Sequence, residues 1–308
     1  MESKMESERT EEYLEAIYKK QRTEMPVSTS TLAEELKVSL PAVTDMLQKL
    51  EKKGLIEYRA NRGASLTEQG RRVAVRIVRR HRLWERFLTD ILGLRWDKVH
   101  DEACRLEHVT SPDTEKGLVH ILGDVDTCPH GHYIPDEEGN VKEEQATPLS
   151  KFEPGQKAYI LAIAREEPAL LRESEKLGLK PKTVVSVEAK NADGSLELKM
   201  GEYRFLLKKD LAAVLMARPL SSEEEAISPE EIALSELARG ETGIIKSFAG
   251  GRGMLGRCLS MGFTPGSLVE MVENFGSGPV LVRIHDTDVA LGRGLAHKMI
   301  VTRSKAQC

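Results

Sequence analysis

Apolar residues recur at helical spacing in EEYLEAIYKK, STLAEELKV and LPAVTDMLQKLEKKG, so residues 10 to 57 are predicted to form three helices. The breaks between them hold Pro26, Ser28 and Ser30, then Ser39 and Pro41. Ser39 reads as an N-cap with proline in the first turn, and Gly54 as the stop. Two short strands, LIEYR and ASLTEQG, follow around the turn Ala60-Asn61-Arg62-Gly63. Three helices and a basic hairpin is the layout of a winged helix-turn-helix. In that layout Leu40 to Leu50 enters the major groove, and Arg59 and Arg62 reach phosphates or the minor groove.

The helical period returns from Glu68 to Leu94, with Val73, Ile77, Leu83, Trp84, Phe87 and Leu88 as its apolar positions. A second long helix is expected around VHDEACRLEHV, residues 99 to 109. Two such helices beside a DNA-binding module predict a dimer interface, because two-fold proteins read two-fold operators. The polar, acidic stretches 135 to 149 and 218 to 231 read as linkers. Around the second one the chain repeats itself. LGLKPKTVVSV (177 to 187) aligns with MGFTPGSLVEM (261 to 271), and Leu211 with Leu295, all at an offset of 84 residues. Each copy alternates short strands with turns and has one brief helix, LLRESEKLG or MLGRCLSMG, which fits a small β-barrel.

Charge sharpens the first reading. The chain carries a net -4, yet residues 37 to 86 hold 13 Lys+Arg against 5 Asp+Glu, the footprint expected of a polyanion-binding module. On the helix meant for DNA, Ser39, Pro41, Ala42 and Thr44 are small enough for close approach to bases, while Gln48, Lys49, Arg59 and Arg62 suit phosphates. The charged start MESKMESERTEEY does not resemble a signal peptide, and no apolar run is long enough to span a bilayer, so a soluble, cytoplasmic protein is expected. Its four cysteines lie far apart, which argues for thiols or metal ligands over a disulfide framework.

Metal chemistry is the strongest functional signal. His100, Cys104 and His108 recur every four residues and Glu107 lies three beyond Cys104, so on a helix they share a face. One helix rarely surrounds an ion alone, and further donors are available: His81 and Glu85 four apart, Cys128 and His130 in TCPHGHYIP with His132 nearby, and Glu12 and Glu15 on the first helix. Gly251 to Gly256 spells G-x-G-x-x-G, but a strand-rich domain of about 75 residues offers little room for a dinucleotide fold, so a tight turn is expected. Cys258, His285 and His297 read as core or surface residues of that domain.

HRLWERFLTDILGL (81 to 94) and VHDEACRLEHVTS (99 to 111) closely resemble the diphtheria toxin repressor and iron-dependent regulator family, and CPHGHYIP resembles its manganese-type relatives. GGRGMLGRCLSMGFTPG resembles FeoA-type SH3-like domains. The resemblance implies an α+β multidomain chain. A winged helix-turn-helix occupies 1 to 70, a helical metal-binding and dimerisation domain 71 to 134, and two SH3-like barrels 150 to 218 and 231 to 304, the last an added copy. It implies a primary metal site of Glu12, Cys104, Glu107 and His108, with Glu15 available as in manganese regulators. It implies an ancillary site of His81 and Glu85, completed by His100 or by Cys128 and His130, with Glu166 or Glu167 as the nearest carboxylate from the first SH3-like domain. Iron repressors of the family carry methionine where this chain has Glu12, whereas Cys104 is their residue and manganese regulators usually have a carboxylate there.

Thiolate at Cys104 favours Fe(II), Co(II) or Zn(II) over Mn(II), while the carboxylates suit Mn(II) and Fe(II) alike. The expectation is Fe(II) or Mn(II) in the cell, with Zn(II) or Co(II) binding in vitro. The expected function is a homodimeric, metal-dependent repressor of metal homeostasis on palindromic double-stranded DNA, with no membrane partner and no small-molecule substrate. A hydrolytic metalloenzyme is the alternative, since Cys/His/Glu sites also activate water. No hydrolase signature accompanies the ligands.

Overall fold

The computed structural model describes residues 2–21, 24–123, 125–142, 144–201, 203–220, 231–248, 257–258, 260–264 and 266–304. The glycine-rich stretch 251–256, most of the second linker and part of the brief helix expected at 254–262 lie outside the described residues. Two compact units result: one comprises 1–94, 98–128 and 133–143, the other 95–97, 129–132 and 144–308. Among the described residues no helix is long and apolar enough to cross a membrane.

The first unit opens with α1 (Glu2–Lys20), α2 (Thr29–Leu36), α3 (Leu40–Lys52) and the hairpin β1 (Ile56–Arg59) and β2 (Gly63–Leu66). Ser28 and Ser39 cap α2 and α3 by accepting from the backbone N–H groups of Thr31 and Ala42. Leu14, Ile17, Leu32, Val43, Leu47 and Leu50, the apolar stripes of the three helices, close on one core with Ile56 and Ala64 of the hairpin. Asn61 takes the left-handed φ of 64° that its turn needs, and a side chain at Gly63 would meet the Val27 carbonyl. The second strand is shorter than the sequence pattern suggests, because Thr67 already caps the next helix through the N–H of Gly70.

That helix, α4 (Glu68–Asp90), is followed by α5 (Val99–Glu107) and α6 (Pro112–Leu122). The sequence expectation of one long second helix is corrected: α5 has only 9 residues, and Ser111 with Pro112 starts a separate helix by the same cap-and-proline device as α3. The arginines of α4 also read differently in place. Arg79, Arg82 and Arg86 are buried, Arg79 and Arg80 hold Glu115 at 3.0 and 2.9 Å, and Arg86 holds Asp90 at 2.8 Å. Part of the basic excess therefore stabilises this unit and is not offered to a polyanion.

In the second unit the repeat becomes two six-stranded antiparallel sheets. The first contains β3 (Thr147–Pro148), β4 (Lys157–Ile163), β5 (Val184–Lys190), β6 (Leu196–Met200), β7 (Tyr203–Leu207) and β8 (Leu215–Pro219), in the order β3-β8-β4-β5-β6-β7. The second contains β9 (Glu231–Ala233), β10 (Thr242–Phe248), β11 (Leu268–Glu273), β12 (Val280–Ile284), β13 (Thr287–Leu291) and β14 (Met299–Ser304), in the matching order β9-β14-β10-β11-β12-β13. Even the bulges repeat, at Ile160/Ala162 and Val187/Ala189 in one sheet and Ile245/Ser247 and Met271/Glu273 in the other. Each copy has its own apolar core. The helices α7 (Pro168–Lys176) and α8 (Lys209–Val214) belong to the first copy and α9 (Arg293–Ala296) to the second.

The copies meet at equivalent residues. Thr183 and Ser267, 84 apart, form an antiparallel bridge, which gives the contact a local two-fold character. Around it the Val184 N–H donates to the Gly266 carbonyl at 2.9 Å, Lys182 pairs with Asp286, and the Nδ1–H of His285 donates to the Pro181 carbonyl at 3.0 Å. A Cβ on Gly266 would lie 2.5 Å from the Val184 carbonyl oxygen, so this approach needs glycine.

Candidate metal centre

α4 and α5 pack together, with α1 of the winged-helix head packed on α4. His81 sits at the middle of that contact and is buried. Its Nδ1–H donates to Glu107 Oε2 at 2.6 Å and its Nε2–H to Glu85 Oε1 at 3.1 Å. Burial alone would lower the His81 pKa, but Glu85 and the bonds to Cys104 and Glu107 overcome it and raise it well above the usual 6.5. The buried carboxylates on either side therefore favour the protonated ring.

Donor atoms of Glu15, His81 and Glu107 lie within 4.8 Å of one another, all three residues being buried. Those of His81, His100 and Cys104 do the same. Cys104 Sγ is 3.7 Å from His100 Nε2 and 3.9 Å from His81 Nδ1. Burial pushes its thiol pKa up, and these two histidines more than reverse that, so it is lowered overall. Glu15 is pulled below its usual range, against burial, chiefly by Lys19 at 2.9 Å. Glu107 is pushed up by burial, with the His81 bond opposing.

At the C-terminal end of α5, the Nδ1–H of His108 donates to Glu11 Oε2 at 2.7 Å, and His108 Nε2 lies 3.3 Å from Glu107 Oε1. Burial lowers the His108 pKa, but Glu11 and Glu107 raise it overall. Glu12 is exposed, and it is the neighbouring Glu11 that touches the histidine. Partial burial raises the Glu12 carboxyl, His108 pulls it down, and Glu8 adds to the rise. Glu11 was missed by sequence reasoning, although it lies four residues before Glu15 and so on the same face of α1.

A Glu85 carboxylate oxygen and Cys128 Sγ also lie within 4.8 Å of each other in the first unit. In the second unit, His130 and His132 approach Glu166 Oε1 at 3.5 and 3.4 Å. The His130 Nε2–H donates to the Trp96 carbonyl at 2.8 Å. Gly131 between the two histidines is required, since a Cβ there would lie 1.9 Å from the Leu161 carbonyl oxygen. Glu167 points away, its exposed carboxylate 3.2 Å from Arg165.

The residues expected on DNA all lie on α3 and the hairpin. Ser39, Pro41, Ala42, Gln48, Lys49, Arg59 and Arg62 are exposed, and Thr44 is half-buried with its hydroxyl donating to the Leu40 carbonyl at 3.0 Å. Lys49 holds Asp45 at 3.0 Å in an exposed pair, which contributes little to stability.

Imidazole, carboxylate and a lowered-pKa thiol, converging and largely buried, form a donor set suited to a divalent first-row metal. Fold and donors together define a winged-helix protein with a metal-competent centre in its helical second domain.

Comparison with known proteins agrees. Residues 5–64 match the iron dependent repressor N-terminal DNA binding domain, 67–136 the iron dependent repressor metal binding and dimerisation domain, and 147–219 and 232–303 the FeoA domain. The iron-dependent repressor IdeR of Mycobacterium tuberculosis is 42% identical over 126 residues, which are 41% of this chain and 55% of that protein. The diphtheria toxin repressor of Corynebacterium diphtheriae is 42% identical over 141 residues, 45% of this chain and 62% of that protein. The chain thus spans little more than half the length of these curated relatives. A solved manganese-dependent transcriptional repressor in complex with manganese is 31% identical with a TM-score of 0.64, covering 68% of this chain and 100% of that one. A structure of ScaR with bound Zn2+ is 26% identical with a TM-score of 0.59, covering 68% of this chain and 98% of its own. The chain belongs to the family of iron- and manganese-dependent repressors.

Proposed function

We propose that this chain is a metal-activated transcriptional repressor of metal homeostasis. It works in the cytoplasm as a homodimer on palindromic operator DNA, with Fe(II) or Mn(II) as corepressor, and it is not an enzyme. The observation that carries this reading is the clustering of Glu15, on the first helix of the winged-helix head, with His81 and Glu107 of the second domain. Glu12, Glu15, Cys104, Glu107 and His108 would hold one ion; His81, Glu85, His100 and Cys128 are the donors for a second on this unit. The second unit has a donor pair of its own in His130 and Glu166. Ile91, Leu92, Val109 and Ile121 are more than half exposed on the helical domain, which supports a protein partner there, and a second copy of the chain fits a two-fold operator.

The carboxylates of Glu11, Glu15, Glu85 and Glu107 are held by Lys19 and by the rings of His81 and His108. A divalent ion binds imidazole and thiol donors in their deprotonated forms, so metal binding releases protons and strengthens as pH rises. Because donors come from α1 and from α4 and α5, the residues that accept metal also fix the head on the second domain. By linkage, operator DNA tightens metal binding by the same factor by which metal tightens DNA binding. Fluorescence anisotropy of operator DNA, titrated with and without anaerobic Fe(II) or Mn(II), tests this. A full switch requires about 10⁴-fold preference of metal for the DNA-competent arrangement, and equal DNA affinity in both conditions overturns the reading.

A further inference from the structure

Glu11 and His108 are 97 residues apart and belong to different domains of the first unit, yet the Nδ1–H of His108 donates to Glu11 Oε2 at 2.7 Å. The bond is sheltered: the His108 side chain is 6% exposed and that of Glu11 22%. The other ring nitrogen, Nε2, faces Glu107 Oε1 at 3.3 Å. Neither Glu11 nor His108 is in a donor cluster of three or more residues among the described residues, but the two carboxylates meet different nitrogens of the ring, Glu11 at Nδ1 and Glu107 at Nε2.

A histidine that binds a metal through one ring nitrogen commonly gives its other N–H to a carboxylate. That second bond fixes the tautomer and the ring orientation and makes the ligating nitrogen more basic. His108 already has this arrangement, with its carboxylate supplied by the winged-helix head. We infer that Glu11 is a positioning residue of the metal centre, which holds the His108 Nδ1–H and keeps Nε2 facing Glu107. The inference rests on the metal reading above. It adds a second route from head to centre besides the donors of α1 themselves: the His108 ring is oriented for metal only while α1 stays docked. A plain ion pair at this place would leave metal affinity unmoved.

Cobalt(II) titration of the full chain, followed by its visible d–d bands and the thiolate charge-transfer band, tests this in a double-mutant cycle of Glu11→Gln, His108→Gln and both. Glu11→Gln is expected to weaken Co(II) binding by about 10- to 100-fold while keeping the spectrum at saturation, since the ligands themselves are unchanged. In the His108→Gln background the same change is expected to have no further effect, and Glu11→Asp, which keeps a carboxylate, recovers part of the loss. Circular dichroism of each variant confirms that it is folded. An affinity for Glu11→Gln within about two-fold of the parent overturns the inference alone, as does an equal loss with and without His108. If the unaltered chain binds no Co(II), the metal reading falls and this inference falls with it.

Discussion

His81 is the residue whose replacement should be felt most in the metal-free chain. Its imidazolium touches Glu107 at 2.6 Å and Glu85 at 3.1 Å, and those carboxylates are 1% and 0% exposed. In His81→Gln these groups lose their cation without gaining contact with water. Removing one partner of a buried charge pair costs about 3–5 kcal/mol. The protein can instead escape by protonating a carboxylate. From an ordinary pKa of 4.5 this costs about 3 kcal/mol at pH 7 but only about 1 kcal/mol at pH 5. The expected destabilisation is therefore about 3 kcal/mol at pH 7 and roughly 2 kcal/mol less at pH 5. Hydrogen exchange of the amides of α4 and α5, measured in chelator, reads this unit by itself. Protection should fall by about two decades at pH 7, and by well under one decade at pH 5 after correction for intrinsic exchange. Unchanged protection at pH 7, or an equal loss at both pH values, would falsify the view that His81 acts as an internal counter-cation.

Other outcomes follow from single features. Arg59→Ala and Arg62→Ala, both on the exposed hairpin, should each lower the slope of log K against log salt for DNA by about 1 and weaken all sequences alike, as read by anisotropy across a salt series. Gly70 has ordinary helical backbone, where alanine would usually stabilise by about 0.5–1 kcal/mol. Here a Cβ would lie 1.9 Å from the Leu55 carbonyl oxygen, so Gly70→Ala should lower the denaturant midpoint of the first unit, and a raised midpoint would contradict the packing. Burial and, secondarily, Lys180 depress the His285 pKa from 6.5 to about 4. The folded chain thus disfavours its protonated form. Stability from this residue is complete above pH 6.5, declines as pH falls, and is lost below about 4, amounting to about 3 kcal/mol that a His285→Gln melt should not show.

The winged helix was legible because each of its devices is local: serine caps, proline in a first turn, a glycine stop, an asparagine in a tight turn. The duplication was legible because a repeat is visible without knowing its fold. Other features depended on packing between segments far apart. Nothing in VHDEACRLEHV states that its helix stops at Glu107, because the break is made by Ser111 and Pro112 restarting the chain. The arginines of α4 look like a polyanion footprint until Glu115, 35 residues away, is brought against Arg80. Adjacent Glu11 and Glu12 are equivalent as letters, and only the docking of α1 decides which meets His108.

The bridge between Thr183 and Ser267 has a consequence for assembly. A patch that pairs with its own equivalent is self-complementary, and such contacts close after two partners, whereas head-to-tail ones go on to form rings or fibres. With both partners on one polypeptide, each copy meets the other at very high local concentration, set by the connection between them. The pairing is thereby saturated at any protein concentration. A chain with one copy would have to recruit a second molecule to cover the same edge, whereas this chain carries its own cover.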